Sequence, residues 1–339
     1  LPFFALGLLA WTYLRVKRSL VWALVLGVAA GLGMLGKYAA LYLPLLLALA
    51  ALFVPAARIG WRDAGVAAVT ALATLSPNLI WNLQNGGTTF RHVAEDNAKL
   101  DATGLSGGAA LEFVVSQLVV FGPLLLLALA YVLATFVKRG PESRALLLLS
   151  VPVILLMAIQ AARAGANANW AVTAYIAGTA LAAGTLGPRL LKLSLAFGLF
   201  FTIALPLAYM NAEHLRLPNG DLLAKRYLGV NTLSHAIADA AEAQNLETVV
   251  AVRRSVLADL FHTYHDSDLR VYAPPPMGKP TNYYQQTFPL PAGTSEDVLF
   301  INQSPPDCST RQEVGVHAPN DGFYAGLRFG FWRVPASCL

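Results

Sequence analysis

Residues 20–55 read LVWALVLGVAAGLGMLGKYAALYLPLLLALAALFVP, an apolar run about twice as long as a membrane span. A helix needs about 20 apolar residues to cross the hydrocarbon core of a bilayer, so this run predicts two helices. Lys37 carries the one formal charge of the run and lies near its middle. A charge held at the centre of a bilayer costs about 3 kcal/mol or more. We therefore expect the chain to turn at Gly36 and Lys37, which makes Lys37 the tip of a helical hairpin at a membrane surface.

The composition of the whole chain indicates an integral membrane protein. Hydrophobic residues make up 56% of it and charged residues only 13%, whereas soluble domains carry about 25% charged residues. The net charge of +5 would suggest a nucleic-acid partner in a soluble protein. Here the cations lie mostly in short loops between apolar runs, where they set the orientation of helices. We therefore expect membrane lipids as partners and no nucleic acid.

The apolar runs predict about eight membrane spans, at residues 1–14, 19–36, 38–55, 64–81, 111–137, 145–162, 168–187 and 193–210. Lys and Arg cluster in every second loop, at residues 15–18, 58–62, 138–144 and 189–192. Cytoplasmic loops carry the excess of Lys and Arg, so these loops are predicted to face the cytoplasm. The remaining connections then face outward, and they contain Lys37, residues 82–110 and residues 163–169. This pattern predicts a multi-pass membrane protein.

The outward connections hold the candidate binding residues. Lys37, Arg91 and Arg163 are cations, and Arg binds phosphate through paired hydrogen bonds whereas Lys acts as a point charge. Four other residues there have hydrogen-bonding or aromatic side chains: Tyr38, His92, Asn169 and Trp170. Simpler interpretations remain open, because a hairpin lysine reaches the interface with its long side chain and tryptophan commonly anchors a span there.

From about residue 211 the composition becomes that of a soluble domain. The segments LSHAIADAAEAQN and SVLADLFHTYH have helical patterns, and they alternate with the apolar segments ETVVAV, DLRVYA and DVLFINQ. Alternating helices and strands predict a small α/β domain. The predicted domains are therefore 1–210 in the membrane and 211–339 outside it. Because the eighth predicted span ends on the outer side of the membrane, the second domain is expected in the periplasm.

The two cysteines, Cys308 and Cys338, both lie in this C-terminal part. Disulfides persist in the periplasm, so a bond between them is permitted, although their spacing does not prove it. The histidines show no metal-ligand spacing with cysteine or carboxylate, so no metal site is predicted from the residues themselves.

Three motifs resemble those of a known enzyme family: Gly36-Lys37-Tyr38, the segment SPNLIWN (76–82) followed by Phe-Arg-His (90–92), and Ala-Asn-Trp with a following Ala-Tyr (168–175). Together they resemble bacterial membrane glycosyltransferases of family 39, the dolichyl-phosphate-mannose protein mannosyltransferase-like group, which includes enzymes that transfer aminoarabinose to lipid A. The resemblance covers residues 1–210 and, more loosely, the tail. It implies a C-type glycosyltransferase fold in a bacterial inner membrane. It also implies transfer of a sugar from a polyprenyl-phosphate carrier to a lipid, glycan or protein acceptor at the outer face of that membrane.

The resemblance also implies a catalytic base and a metal cofactor. In this family, acidic residues of the first outer loop supply the general base and often help to hold a divalent cation. Leu1–Phe4 resembles the helix that follows that loop, so the catalytic carboxylate is expected upstream of residue 1 and this piece is expected to lack it.

Our hypothesis is that Lys37 and one of the two arginines, Arg91 or Arg163, neutralise the donor phosphate as it leaves, because stabilising a leaving group's charge is worth several kcal/mol in a water-poor site. The residues expected to orient the sugar or the acceptor are Tyr38, His92, Asn169 and Trp170. The alternatives are a lipid or solute transporter, a flippase, or a non-catalytic membrane scaffold. Transporters tend to show internal repeats and charges near the bilayer midplane. The sequence shows no repeat, and its charges gather at the predicted outer edge.

Overall fold

The computed structural model describes residues 1–85, 87 and 104–339. The chain forms two compact units, Leu1–Phe201 and Thr202–Leu339. The predicted boundary between residues 210 and 211 lies inside the second unit. The division between the two units lies inside one helix, Pro188–Met210.

The N-terminal unit is helical throughout the part that the structure describes. Its helices are α1 (Pro2–Val16), α2 (Leu20–Gly36), α3 (Tyr42–Phe53), α4 (Trp61–Gln84), α5 (Gly107–Val120), α6 (Pro123–Ala134), α7 (Pro141–Leu148), α8 (Val151–Ala164), α9 (Ala174–Thr185) and α10 (Pro188–Met210), the last of which continues into the second unit. Short 3₁₀ turns join several of them, at Tyr38–Leu41, Pro55–Ala57, Phe136–Lys138 and Ala168–Ala171.

Fewer helices reach membrane length than the eight spans that the sequence predicts. Among the described residues, three stretches are long and apolar enough to cross a bilayer, namely Trp61–Gln84, Pro141–Ala164 and Pro188–Met210. A bent pair, α5 with α6, would make a fourth. The helices α1 and α2 have 15 and 17 residues, so at 1.5 Å per residue they extend about 22 to 26 Å. That is shorter than the hydrocarbon core of about 30 Å, so the count of eight stays a prediction.

The predicted span 111–137 is not one straight helix. It is broken between α5 and α6, whose axes differ by 118°. Gly122 has a φ of 95°, a conformation that glycine adopts without steric cost. Pro123 follows and starts α6, because proline is tolerated in the first turn of a helix but not in its interior.

Two glycines of α2 let it pack directly on α4. A Cβ atom at Gly27 would lie 2.5 Å from the carbonyl oxygen of Ala67, and one at Gly31 would lie 2.5 Å from Cβ of Thr74. Small residues four apart allow such close approach of helix backbones. Because Gly27 faces Ala67 and Gly31 faces Thr74 and the Ala71 carbonyl, the two helices run parallel.

The prediction of a turn at Lys37 agrees with the structure, but the hairpin packing was wrong. The helix α2 ends at Gly36, and Lys37 is extended with φ −163° and ψ 129°. Beyond it, α3 packs against α7, whereas α2 packs against α1 and α4. Within the described residues, α2 and α3 do not lie side by side, because a cavity lined by both of them and by α4 lies between them.

The C-terminal unit contains a five-stranded sheet with strand order β2-β1-β3-β5-β4. Its strands are β1 (Thr248–Ala251), β2 (Arg270–Tyr272), β3 (Asp297–Asn302), β4 (Gln312–His317) and β5 (Phe329–Pro335), and its helices are α11 (Val230–Ala243), α12 (Arg254–Thr263) and α13 (Tyr283–Thr287). The strands β2, β1 and β3 are parallel, and β5 is antiparallel to both β3 and β4. Each segment that the sequence analysis identified as a strand coincides with one of the three parallel strands.

The two faces of the sheet are covered differently. On one face, Leu233 of α11 and Leu257 of α12 join Leu299 of the sheet in one core. On the other face, Phe300 and Trp332 form a second core with loop residues that include Cys308. A disulfide joins Cys308 to Cys338, with a Cα–Cα distance of 5.7 Å, and so ties the chain after β3 to the C-terminus.

Candidate functional site

A group of polar side chains surrounds Tyr38 at the end of α2. The Tyr38 hydroxyl donates a hydrogen bond to Oδ1 of Asn78. Nδ2 of Asn82 donates to the same oxygen at 3.2 Å and to the Asn78 carbonyl at 2.9 Å. Asn82 is only 1% exposed, so its amide lies inside the protein. The structure therefore joins two of the motifs that carried the family resemblance.

The parallel packing of α2 and α4 explains this meeting. Gly31 of α2 lies against Ala71 and Thr74 of α4. Seven residues beyond Gly31 the chain reaches Tyr38, and seven residues beyond Ala71 it reaches Asn78. Side chains that are far apart in sequence thus arrive at one end of the helix pair. Lys37 lies at this end too and is exposed.

A second polar group lies within the helices. The Tyr175 hydroxyl donates to Oε1 of Gln117. Nε2 of Gln117 donates to the carbonyl of Phe113 at 2.7 Å and to that of Ala168 at 3.3 Å. Gln117 is fully buried, and the ring of Tyr175 stacks on Phe121 with centroids 4.4 Å apart. A buried amide with all these partners holds α5, α9 and the Ala168–Ala171 turn in a defined arrangement.

Sequence reasoning did not identify Gln117. It stands in the apolar segment LEFVVSQLVV, and an uncharged polar residue in such a run was the available signal, because lipid provides it with no hydrogen-bond partner. Tyr175 belonged to a recognised motif but received no role.

Arg163, Asn169 and Trp170 are exposed in the structure. Arg163 is in the last turn of α8, and the start of α5 is attached there by a hydrogen bond from the Ser106 amide to the Ala162 carbonyl, 2.8 Å long. Asn169 and Trp170 belong to the Ala168–Ala171 turn, which Gln117 binds through the Ala168 carbonyl. These contacts define the local position of each predicted residue.

Two predicted residues, Arg91 and His92, lie outside the described residues. The convergence of Lys37, Arg91 and Arg163 on one phosphate therefore stays a prediction.

An apolar cavity of about 620 Å³ lies between α2, α3 and α4. Leu26 and Ala30 line it from α2, Leu47 from α3, and Ala67 from α4. Its lining includes Leu43 and Pro44, which are close in sequence to Tyr38, and also Arg58, whose Nε donates to the Ala51 carbonyl at 2.9 Å. A cavity of this size and polarity is suited to a hydrocarbon chain.

The described residues do not supply the divalent-cation site that the family resemblance implies. Within residues 1–85, 87 and 104–339 there is no group of three or more His, Cys, Asp or Glu side chains placed to hold a metal ion.

Comparison with known proteins identifies a relative of this chain. No family model and no solved structure matches the chain. The lipid A galacturonosyltransferase RgtD of Rhizobium johnstonii is 40% identical over 344 aligned positions, which cover 99% of this chain and 72% of that protein. This chain belongs to the same family and is a membrane glycosyltransferase, an enzyme that transfers a sugar to an acceptor.

Proposed function

We propose that the chain belongs to glycosyltransferase family 39 and transfers a uronic acid sugar from a polyprenyl-phosphate carrier to lipid A or a similar lipid. The observation that carries this proposal is the 40% identity to a lipid A galacturonosyltransferase along 99% of the chain. The reaction takes place at the outer face of the inner membrane, and the C-terminal unit is periplasmic. The match favours an enzyme over the transporter, flippase and scaffold alternatives.

The donor phosphate binds at the end of α2 where Lys37 is exposed. Tyr38 follows Lys37 and is hydrogen-bonded to Asn78, so the polar side chains at this end of α2 are already in place for a polar ligand. Leu43 and Pro44, a few residues beyond Lys37 in the sequence, line the apolar cavity. A lipid with its phosphate at Lys37 thus has an apolar space nearby for its isoprenoid chain.

Lys37 acts on the leaving group. An acceptor hydroxyl oxygen forms a bond to the anomeric carbon of the sugar, and the bond from that carbon to the carrier phosphate oxygen breaks. The phosphate leaves with the bonding electrons, and a base takes the acceptor proton. Negative charge grows on the phosphate oxygen during this step, and a fixed cation nearby lowers the barrier by several kcal/mol. Arg91 or Arg163 supplies a second cation, and Tyr38, His92, Asn169 and Trp170 orient the sugar and the acceptor.

Support for the sidedness comes from the helix pair α2 and α4. The two helices run parallel, and the Tyr38–Asn78 hydrogen bond brings their ends together. Both ends were predicted to face outward from the placement of cations in the loops. Lys37 and the Asn78 segment therefore belong to one membrane surface.

The test replaces Lys37 with glutamine in the full-length enzyme and measures galacturonate transfer from a polyprenyl-phosphate donor to lipid A in vesicles. We expect the rate to fall about a hundredfold, because removing one charge-stabilising group typically costs that much. Lys37→Arg keeps the charge and is expected to retain more activity. Lys192→Gln removes an exposed lysine near the start of α10 and is expected to keep the full rate.

Arg58 is another cation that lines the cavity, so Arg58→Gln tests whether the donor phosphate binds there and not at Lys37. If Arg58→Gln abolishes transfer and Lys37→Gln leaves it unchanged, the phosphate does not bind at Lys37 and the proposed donor site is wrong. If neither the wild-type enzyme nor any variant transfers galacturonate, the proposed sugar is wrong.

A further inference from the structure

A polar pocket opens on the helix-free face of the C-terminal sheet. Its volume is about 340 Å³, at the lower end of the range for small-ligand sites. It is formed where β3, β4 and β5 meet the loop after β3, and it is lined by Gln303, Pro305, Arg311, Glu313, Arg328 and Trp332 together with Gly330. These residues lie outside the sequence motifs to which we assign sugar transfer.

One wall of the pocket is formed by Gly330 and Trp332 of β5. Gly330 and Trp332 are two apart on β5 and therefore share a face of the sheet. A Cβ atom at Gly330 would lie 2.2 Å from atoms of the Trp332 ring, so the absence of a side chain at Gly330 lets the indole lie over the strand. Trp332 is 5% exposed and is packed beside Phe300 in the second core. This wall of the pocket is therefore apolar and closely packed.

The rim of the pocket carries two arginines and one carboxylate. Nη2 of Arg328 binds Oε1 of Glu313 at 3.1 Å. Nη1 of Arg311 donates to the carbonyls of Pro306 and Cys308, both at 3.2 Å, which attaches its guanidinium to the disulfide loop. Arginine has five N–H donors, and among the described residues Nε and Nη2 of Arg311 make no hydrogen bond.

The charge of the pocket differs from that of the unit around it. Residues 202–339 contain 10 Lys and Arg and 13 Asp and Glu, so the unit is acidic. The pocket has the opposite balance, with two arginines to one glutamate. Exposed ion pairs such as Arg328–Glu313 add little to stability, so stability alone gives no reason for concentrating cations here.

We propose that this pocket binds an anionic sugar, with the apolar C–H face of the ring against Trp332 and the acidic group at Arg311 and Arg328. Arginine binds carboxylate and phosphate groups in paired hydrogen bonds, so a uronic acid and a sugar phosphate share the required chemistry. Gln303 and Glu313 are placed to bind hydroxyl groups. This binding site is additional to the proposed transfer reaction and does not depend on it.

Trp332 provides a direct way to test binding, because it is the one tryptophan after residue 201 among the six in the chain. The full chain, labelled with 5-fluorotryptophan and placed in lipid nanodiscs, is titrated with galacturonate, galactose 1-phosphate, galactose or inorganic phosphate. Trp332→Phe assigns the fluorine resonance. We expect galacturonate or galactose 1-phosphate to shift this resonance in a saturable way, and galactose and inorganic phosphate to bind at least about tenfold more weakly. The better of the two anionic sugars identifies the acidic group.

Arg311→Gln and Arg328→Gln are each expected to weaken binding about tenfold, as the loss of a charged hydrogen bond predicts. The matched control is Arg226→Gln, which removes an exposed arginine of the same unit outside the pocket and is expected to leave binding unchanged. The proposal is overturned if no sugar shifts the Trp332 resonance, if inorganic phosphate binds as well as the anionic sugars, or if all three variants weaken binding equally. A transfer assay on the same variants is independent of these outcomes.

Discussion

The two units solve the problem of polar groups in different ways. In the N-terminal unit, Asn82 and Gln117 are buried and bind other side chains and carbonyls inside the unit. In the C-terminal unit, the charged pairs Arg270–Glu296 and Arg333–Asp297, both 2.8 Å long, remain partly exposed. A lipid environment offers no hydrogen bonds, so polar groups must be satisfied internally, whereas water can solvate a charged pair at a surface. The first unit is therefore held together by contacts between helices, and the second by strand pairing and a disulfide.

The largest expected effect concerns the covalent bond of the second unit. Cys308 and Cys338 are 30 residues apart, and closing a loop of that length is worth about 3 to 4 kcal/mol by chain entropy. Cys308→Ser with Cys338→Ser is therefore expected to reduce the free energy of unfolding of this unit by that amount. Denaturant titration of the 5-fluorotryptophan signal at Trp332, which shares a core with Cys308, measures it.

A reducing agent is the control for this experiment. It should lower the stability of the wild-type chain to that of the double variant and leave the double variant unchanged. An unaltered unfolding midpoint after the double substitution would show that the sheet alone stabilises the unit.

A smaller effect is expected from a substitution that pushes α2 and α4 of the first unit apart. In Gly31→Leu, the new Cβ would lie 2.5 Å from Cβ of Thr74 and 2.9 Å from the Ala71 carbonyl. Overpacking of this kind typically costs about 1 to 3 kcal/mol, and it should also separate Tyr38 from Asn78. Gly65→Leu is the matched control in α4, because nothing lies within 4 Å of a Cβ atom there. Thermal unfolding in detergent compares the two, and equal melting temperatures would contradict the packing role of Gly31.

The third prediction concerns the buried amide. Tyr175→Phe leaves Oε1 of Gln117 without the hydroxyl that binds it, and a buried unsatisfied acceptor costs about 1 to 3 kcal/mol. Adding Gln117→Leu removes that acceptor, so the double variant should lose less stability than the two single losses together. A double-mutant cycle on melting temperature measures the difference. Additive losses would mean that the two side chains do not interact.

Much of the N-terminal organisation was accessible from sequence because it depends on local composition. The charge and the adjacent glycine predicted the break at Lys37, and α2 ends at Gly36. The break at Gly122 and Pro123 was equally local, yet the apolar run 111–137 was interpreted as one span because hydropathy outweighed the two helix-breaking residues. The hairpin of α2 and α3 failed for another reason, since adjacency in sequence does not decide which helices pack together.

In the C-terminal unit, too, local sequence patterns identified some elements but not how distant segments pair. The three parallel strands are short apolar runs and were identified, whereas β4 and β5 were missed. The segment QEVGVH of β4 is weakly apolar, and none of its six residues is buried. FGFWRVP of β5 is rich in aromatic residues but follows a segment of turns. Its insertion between β3 and β4 is a property of strand pairing over long distances.

The residue types alone predict that the first part of the chain is apolar and helical, that it breaks at Lys37, and that strands and helices alternate after about residue 211. Hydropathy and local backbone preference suffice for these features. The folded chain alone brings Tyr38 to Asn78 and joins Gln117 to Tyr175, which lies 58 positions further along the sequence. It also brings Arg311, Arg328 and Trp332 to one pocket. Such contacts depend on complementary shape and on hydrogen bonds between distant segments, which no local pattern specifies.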